Sequence, residues 1–278
     1  MKKVGVLGAG LVAGPLVEYL LNLGEVEVKV ADLDESRARQ LVGQHPTGQA
    51  FRLDLKDKEK VKELLADVEV VASMVPYTFH PYVAGICLEL GKHLVTASYV
   101  SQEMRNLDGP ARSKGLVFLN ECGLDPGIDH MEAMHCLDRA RADGAQVPGF
   151  ISYCGGLPAP EANNNPFGYK FSWSPRGVLL AGRNEARYLK DGQEVVIPPD
   201  DLFEHFELVE IPGLGKFEAY PNRNSVIYRE IYNLPEVRTI LRGTLRYPGW
   251  CFKLKKIGEL GLLDINDREW TAKTYAGW

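Results

Sequence analysis

The 278-residue sequence lacks any run of eighteen or more apolar residues, so no membrane-spanning helix is expected. It also lacks an excess of positive charge. Against 37 Asp and Glu stand 32 Lys and Arg, a net charge of −5, which argues against a nucleic-acid surface. The local basic run Lys253-Leu254-Lys255-Lys256 reads as a solvated helix face. No CxxC pair occurs among Cys87, Cys122, Cys136, Cys154 and Cys251, and their number is odd. That usage fits a reduced, cytoplasmic protein without a disulfide framework. A secretory leader is not expected at Met1-Lys2-Lys3, because Gly8, Gly10 and Gly14 interrupt the apolar segment that follows. Internal repeats and low-complexity tracts are missing too. What remains is an ordinary globular composition, 45% hydrophobic and 25% charged.

The first half alternates short apolar strands with amphipathic helices. Val4 to Leu7 is a continuous apolar run, as a parallel strand buried on both faces requires. Leu11 to Leu23 repeats its apolar residues at helical spacing, with Pro15 near the helix start. Further strands are expected over 25–30, 49–55, 68–75, 93–97 and 116–120, with helices over 56–66, 81–90 and 102–114. This rhythm predicts an α/β fold with a Rossmann-type doubly wound parallel sheet. Past about residue 145 strand-like pieces replace the helices: Phe150 to Cys154, Gly177 to Ala181, Glu194 to Ile197, Phe206 to Ile211 and Phe217 to Ala219. A second, mostly β (α+β) substrate domain is expected, dividing the chain into 1–125 and 126–278. The weakly periodic stretch 155–174 carries Phe167, Tyr169, Phe171 and Trp173, which argues for order within it.

Gly8-Ala9-Gly10-Leu11-Val12-Ala13 fits G-x-G-x-x-G/A between a strand and a helix. The first Gly makes the tight turn, the second lets the backbone approach a pyrophosphate, and the third, small position lets helix and strand pack. Asp32 closes the second strand, where a carboxylate accepts from the adenosine ribose hydroxyls and repels a 2′-phosphate. NAD is therefore expected over NADP. Arg37 and Arg39 lie nearby, read as pairing with Asp34 or Glu35 rather than as a phosphate clamp. Leu33 follows Asp32, and Asp54 with Leu55 ends the third strand, with meeting the adenine edge and capping a helix as open roles for Asp54. Val75-Pro76 and Thr96-Ala97-Ser98 fall at strand C-terminal ends, where ligands bind in open α/β sheets.

Longer strings carry a family resemblance. Thr96-Ala-Ser-Tyr99, Gly123-Leu-Asp-Pro-Gly-Ile-Asp-His-Met131, Ser152-Tyr-Cys-Gly-Gly-Leu-Pro-Ala-Pro160, the segment 165–175, Tyr220-Pro-Asn-Arg223 and Leu241-Arg-Gly-Thr-Leu-Arg-Tyr247 resemble the saccharopine dehydrogenase (glutamate-forming), or saccharopine reductase, family. The resemblance covers nearly the whole chain. It implies an oxidoreductase of lysine metabolism that oxidises saccharopine to glutamate and 2-aminoadipate 6-semialdehyde with a nicotinamide cofactor. Asp32 resembles the NAD-using branch; the NADP-using fungal branch carries an Arg just after this strand. Family members also continue past a point equivalent to Trp278 and return to the nucleotide domain, so a shortened chain is expected here.

The resemblance implies that Ser98, Tyr99, Asp125, Arg223 and the stretch Gly243-Thr244-Leu245 contact saccharopine, with Asp125 also near the cofactor. Three carboxylates call for Arg forks, and Arg223 and Arg242 are the candidates. Tyr99, Asp125 and Cys154 are the polar groups expected near the reacting carbon. Asp125 could equally cap the following helix, and Cys154 could fill core space. His130 and His135, five apart, fall on different helix faces, so no metal is implied. The expected partner is the small molecule itself, with a homodimer left open. Two other functions also stay open: a carboxynorspermidine- or homospermidine-type enzyme, and a non-catalytic nucleotide-binding chain.

Overall fold

A computed structural model describes residues 1–266; the last stretch of the expected second domain, 267–278, lies outside the described residues. The described chain forms two compact units, residues 1–144 with 172–174 and residues 145–171 with 175–266. The first is a six-stranded sheet with helices on both faces. Its elements run β1 (Lys2–Leu7), α1 (Ala13–Asn22), β2 (Val26–Asp32), α2 (Glu35–Val42), β3 (Gly48–Arg52), α3 (Lys58–Leu65), β4 (Val70–Ser73), α4 (His80–Leu90) and β5 (His93–Thr96). They continue with α5 (Gln102–Asn106), α6 (Asp108–Ser113), β6 (Phe118–Leu119) and α7 (Ile128–Ala142). Strand order is β3-β2-β1-β4-β5-β6, all parallel, so the direction of winding reverses between β1 and β4. This is the doubly wound topology expected from the alternation.

Alternate residues of β1 explain its unbroken apolar run. Leu7 packs in one core with Val61, Leu65 and Val83, whereas Val6 packs in another with Val17, Ala38 and Val42. Both side chains are fully buried, each contributing about 2 kcal/mol. The helix expected over 102–114 is two helices, broken at Leu107. Pro110 has no N–H to give the Asn106 carbonyl, so the ladder stops there.

The second unit is a mixed sheet built from β7 (Gly149–Cys154), β8 (Ala186–Lys190), β9 (Gln193–Ile197), β10 (Glu207–Ile211), β11 (Gly215–Pro221) and β12 (Thr239–Arg246). Its helices are α8 (Pro175–Ala181), α9 (Tyr228–Ile231) and α10 (Trp250–Glu259). Strand β12 is central: β7 runs parallel on one edge, while β8 and β11 pair antiparallel at its two ends on the other. The strand expected over Gly177 to Ala181 is helical instead. A short apolar run has no decisive period, and Pro175 at its head fits a first helical turn. Among the described residues no helix is long and apolar enough to cross a membrane.

One buried carboxylate organises the end of this unit. Glu218, on β11, accepts from the backbone N–H groups of Gly249 (2.6 Å) and Cys251 (2.8 Å) at the start of α10. Both oxygens answer amides that the helix itself cannot satisfy. Glu218→Gln, nearly the same shape, turns an amide NH2 toward one of these donors. It should lower stability by about 2 kcal/mol. A thermal melt checks this, and an unchanged midpoint would show that charge at this cap is immaterial.

Candidate active site

The glycine loop leaves β1 at the point where winding reverses. Gly8 has φ +100°, and a Cβ there would stand 2.8 Å from the Met74 carbonyl oxygen, just past β4. Gly10 differs: among the described residues nothing lies within 4 Å of where its Cβ would be. Ala13, the small third position, is fully buried. Among the described residues no side chain caps the N-terminus of α1 and its first turn holds no acid. Its amides are thus left for an anion, and the loop fits a pyrophosphate on steric and electrostatic grounds.

Asp32 is held tightly. Its Oδ2 accepts from the Ala9 amide (2.7 Å), inside the glycine loop, and its Oδ1 from the Asp34 amide (2.9 Å). Arg37 pairs with Asp34 at 3.6 Å, and Arg39 forms an i,i+4 pair with Glu35, so both follow the helix-face reading. Leu11, Val12 and Leu33 stay exposed beside these groups in sequence. Asp54 does not cap α3; Asp57 does, accepting from the Lys60 amide at 3.2 Å. Asp54 is exposed and accepts from the Lys56 amide at 2.9 Å, a local Asx turn, with Leu55 half-buried against the core behind it. Val75 is partly buried against that same core and Pro76 is exposed.

At the ends of β4 and β5 the structure reveals a network that sequence reasoning missed. His80, the first residue of α4, is 3% exposed. Its Nδ1 shares a hydrogen bond with Ser73 Oγ (2.9 Å), and its Nε2 meets Ser98 Oγ (2.8 Å) and Thr96 Oγ1 (3.0 Å). Burial without a carboxylate partner pushes the imidazole from its ordinary 6.5 down to about 4, so the ring is neutral near neutral pH. Ala97 is half-buried, and beyond it the Tyr99 hydroxyl donates to Asp125 Oδ1 at 2.5 Å. Asp125 therefore answers Tyr99 rather than capping α7, whose first flanking residue is Gly127. The peptide bond from Asp125 to Pro126 is cis. Of the two histidines on α7, His130 lies 3.5 Å from Glu121 and 3.8 Å from Asp129, and His135 is exposed.

The candidates in the second unit gather on adjacent strands. Cys154 on β7, Thr244 on β12 and Tyr220 on β11 form one cross-strand row. In the next row Gly243 is squeezed, since a Cβ there would lie 2.6 Å from the Tyr153 ring and 2.9 Å from the Tyr220 carbonyl oxygen. Arg223 is exposed just past β11, with φ +53°. Arg242 is otherwise: 8% exposed, its guanidinium lies 4.4 Å over the Tyr228 ring while Ser225 bonds its backbone. That geometry is a cation–π stack within the second unit.

Residues 4–119 match the saccharopine dehydrogenase NADP binding domain and residues 123–277 the saccharopine dehydrogenase C-terminal domain. The two family matches meet between residues 119 and 123, and the compact units change over at 144/145, leaving α7 with the nucleotide-binding sheet. A saccharopine dehydrogenase [NADP(+), L-glutamate-forming] of Schizosaccharomyces pombe is 41% identical over 271 residues, 97% of this chain and 60% of that protein. A mitochondrial alpha-aminoadipic semialdehyde synthase of Bos taurus is 40% identical over 95% of this chain and 28% of its own length. The solved apo saccharopine dehydrogenase (L-Glu forming) from Saccharomyces cerevisiae matches with a TM-score of 0.85 and 41% identity, over 96% of this chain and 60% of that one. The chain thus spans about three fifths of the fungal relatives it matches. Two of these names carry NADP, against the NAD expected from Asp32; the shared ground is a pyridine-nucleotide domain. With its doubly wound sheet, its glycine loop and both halves matched in order, the chain belongs to the saccharopine dehydrogenase family.

Proposed function

We propose that this protein oxidises saccharopine, with water, to glutamate and 2-aminoadipate 6-semialdehyde, using NAD. The carrying observation is the Tyr99–Asp125 pair, presented on the nucleotide-binding unit past the C-terminal end of β5. The glycine loop and Asp32 would hold the cofactor's pyrophosphate and adenosine ribose. When bound, the nicotinamide supplies a hydride acceptor for the substrate carbon attached to the bridging nitrogen. Asp125 takes a proton from the water that adds to the resulting iminium carbon, gives it to the carbinolamine nitrogen, and takes the hydroxyl proton as the C–N bond breaks to free glutamate's amine and the aldehyde. The Tyr99 hydroxyl fixes the carboxylate for these transfers. Arg223, exposed and planar, is the proposed carboxylate ligand; Ser98 and Thr244 supply neutral hydroxyl donors, and Cys154 lies in the same strand row as Thr244.

The preference for NAD rests on charge. Asp32 is pinned by two amides, and the two nearby arginines are occupied by Asp34 and Glu35, so a 2′-phosphate would meet anchored negative charge. Nucleotide reduction with saccharopine, run in parallel with NAD and NADP, tests substrate and cofactor together. Asp125→Asn should lower kcat by about a hundredfold while nucleotide affinity is kept. Asp32→Ala should narrow the NAD–NADP gap; an unchanged gap, or faster turnover with NADP in the wild type, would reverse the cofactor assignment.

A further inference from the structure

We propose that His80 is a positioning residue for this reaction: through Ser98 it holds the segment that carries Tyr99 against Asp125. The proposal takes its substrate from the preceding reading and its geometry from the first unit alone.

The two ring nitrogens have different tasks. Nδ1 faces Ser73 Oγ at the end of β4, and Ser73 is 1% exposed, so that bond joins two buried core groups. Nε2 faces the chain that leaves β5, meeting Ser98 Oγ at 2.8 Å and Thr96 Oγ1 at 3.0 Å. An imidazole nitrogen has one in-plane site, whichever tautomer is present. The nearer Ser98 therefore takes the better bond, and Thr96, which also accepts from the Ser98 amide at 3.4 Å, braces it.

From Ser98 the connection continues through backbone. Its carbonyl accepts from the Glu121 amide (3.1 Å), and the Thr96 carbonyl accepts from the Cys122 amide (3.1 Å). The Val100 amide donates back to Glu121 Oε1 (3.0 Å). Residues 96–100 are thus laced to 121–122, three residues before Asp125, and Tyr99 closes the loop by donating to that carboxylate. His80 Nε2 is the buried side-chain anchor of this lacing. Its hydrogen bonds run to Ser73, Ser98 and Thr96, so its effect on Tyr99 and Asp125 is on where they stand. A neutral ring suits the task, because an imidazolium between three hydroxyls would find no counter-charge.

Two amide variants divide the ring's bonding. In His80→Asn the amide stays near the Nδ1 position, toward Ser73; in His80→Gln it extends to the Nε2 position, toward Ser98 and Thr96. If His80 served stability alone, each variant would lose about one bond and the two would behave alike. We expect similar melting temperatures for both. His80→Gln should keep kcat with saccharopine within about threefold of wild type, whereas His80→Asn should lose about a hundredfold in kcat with nucleotide affinity unchanged. A second readout needs no turnover: the NMR resonances of the Tyr99 ring and hydroxyl, which report its bond to Asp125, should shift in His80→Asn and hold in His80→Gln. Equal losses of kcat in the two variants, or Tyr99 resonances unmoved in His80→Asn, overturn the proposal. A wild-type protein inert toward saccharopine, with Tyr99 resonances responding as described, would sink the substrate and leave the role of His80 standing.

Discussion

Gly8→Ala should destabilise the nucleotide-binding unit by about 3 kcal/mol and abolish nucleotide binding, whereas Gly10→Ala should leave the melting temperature almost unchanged and weaken nucleotide binding alone. The two glycines share one motif for unrelated reasons. At Gly8 the backbone has φ +100°, where a side chain is strained, and the added methyl would press on the Met74 carbonyl at 2.8 Å. That carbonyl belongs to the backbone following β4 and cannot rotate away, so β1 and β4 would have to separate at the point where the winding reverses. At Gly10 the methyl meets nothing within 4 Å among the described residues. It would stand only where the pyrophosphate must approach the backbone. Thermal melts with and without NADH, and a fluorescence titration of NADH, check both variants. A fall in melting temperature for Gly10→Ala as large as for Gly8→Ala would mean that the loop is close-packed throughout, and the nucleotide reading of the motif would lose its support.

That motif was legible because its signals are local. A strand, a glycine turn and a helix follow one another between Lys2 and Asn22, and burial of β1 on both faces leaves an apolar run. Interactions between distant segments left no such trace. Asp32 could be placed at the end of β2, yet nothing in the chain announces that one of its oxygens accepts from the Ala9 amide. Asp54 and Asp57 are equally good caps by composition, and only the path of the turn decides that Asp57 serves α3 while Asp54 folds onto Lys56. Asp125 sits where a cap is plausible, and its hydrogen bond to Tyr99 spans 26 residues of sequence.

His80 was missed for the same reason, although a signal was present. Ser73 and Thr96 are each the last residue of a parallel strand, and His80 opens the helix between those strands. Polar residues at the C-terminal ends of adjacent strands, with a histidine at the head of the crossover, converge by geometry alone. In the second unit, Gly243 in the middle of β12 reads as a break in a strand. The Tyr153 ring stacked close over it explains both the glycine and why β12 escaped recognition. Nor does the sequence announce that the Arg242 guanidinium stacks over Tyr228, fourteen residues away.

Acidification should expose the buried imidazole directly. In the unfolded chain His80 titrates near its ordinary 6.5, and in the folded protein burial holds it to about 4. Between those values the unfolded state binds the extra proton, so stability rises with pH across this window and is flat above it with respect to this group. The full difference corresponds to about 3 kcal/mol, of which about 2 kcal/mol is lost by about pH 5. Asp67 and Glu89, whose carboxyls are pulled down to about 2 by their lysine partners, also favour the folded state as they ionise. Those carboxylates lie on the surface, screened by solvent, and their range falls mostly below that of the histidine. His80→Gln separates the contributions, since it removes one titration and leaves the carboxylates in place. Urea unfolding of both proteins at about pH 7 and about pH 5 should show the wild type losing about 2 kcal/mol more than the variant. Equal losses would mean that His80 takes up its proton in the folded state, and that the Ser73, Thr96 and Ser98 hydroxyls tolerate a cation among them.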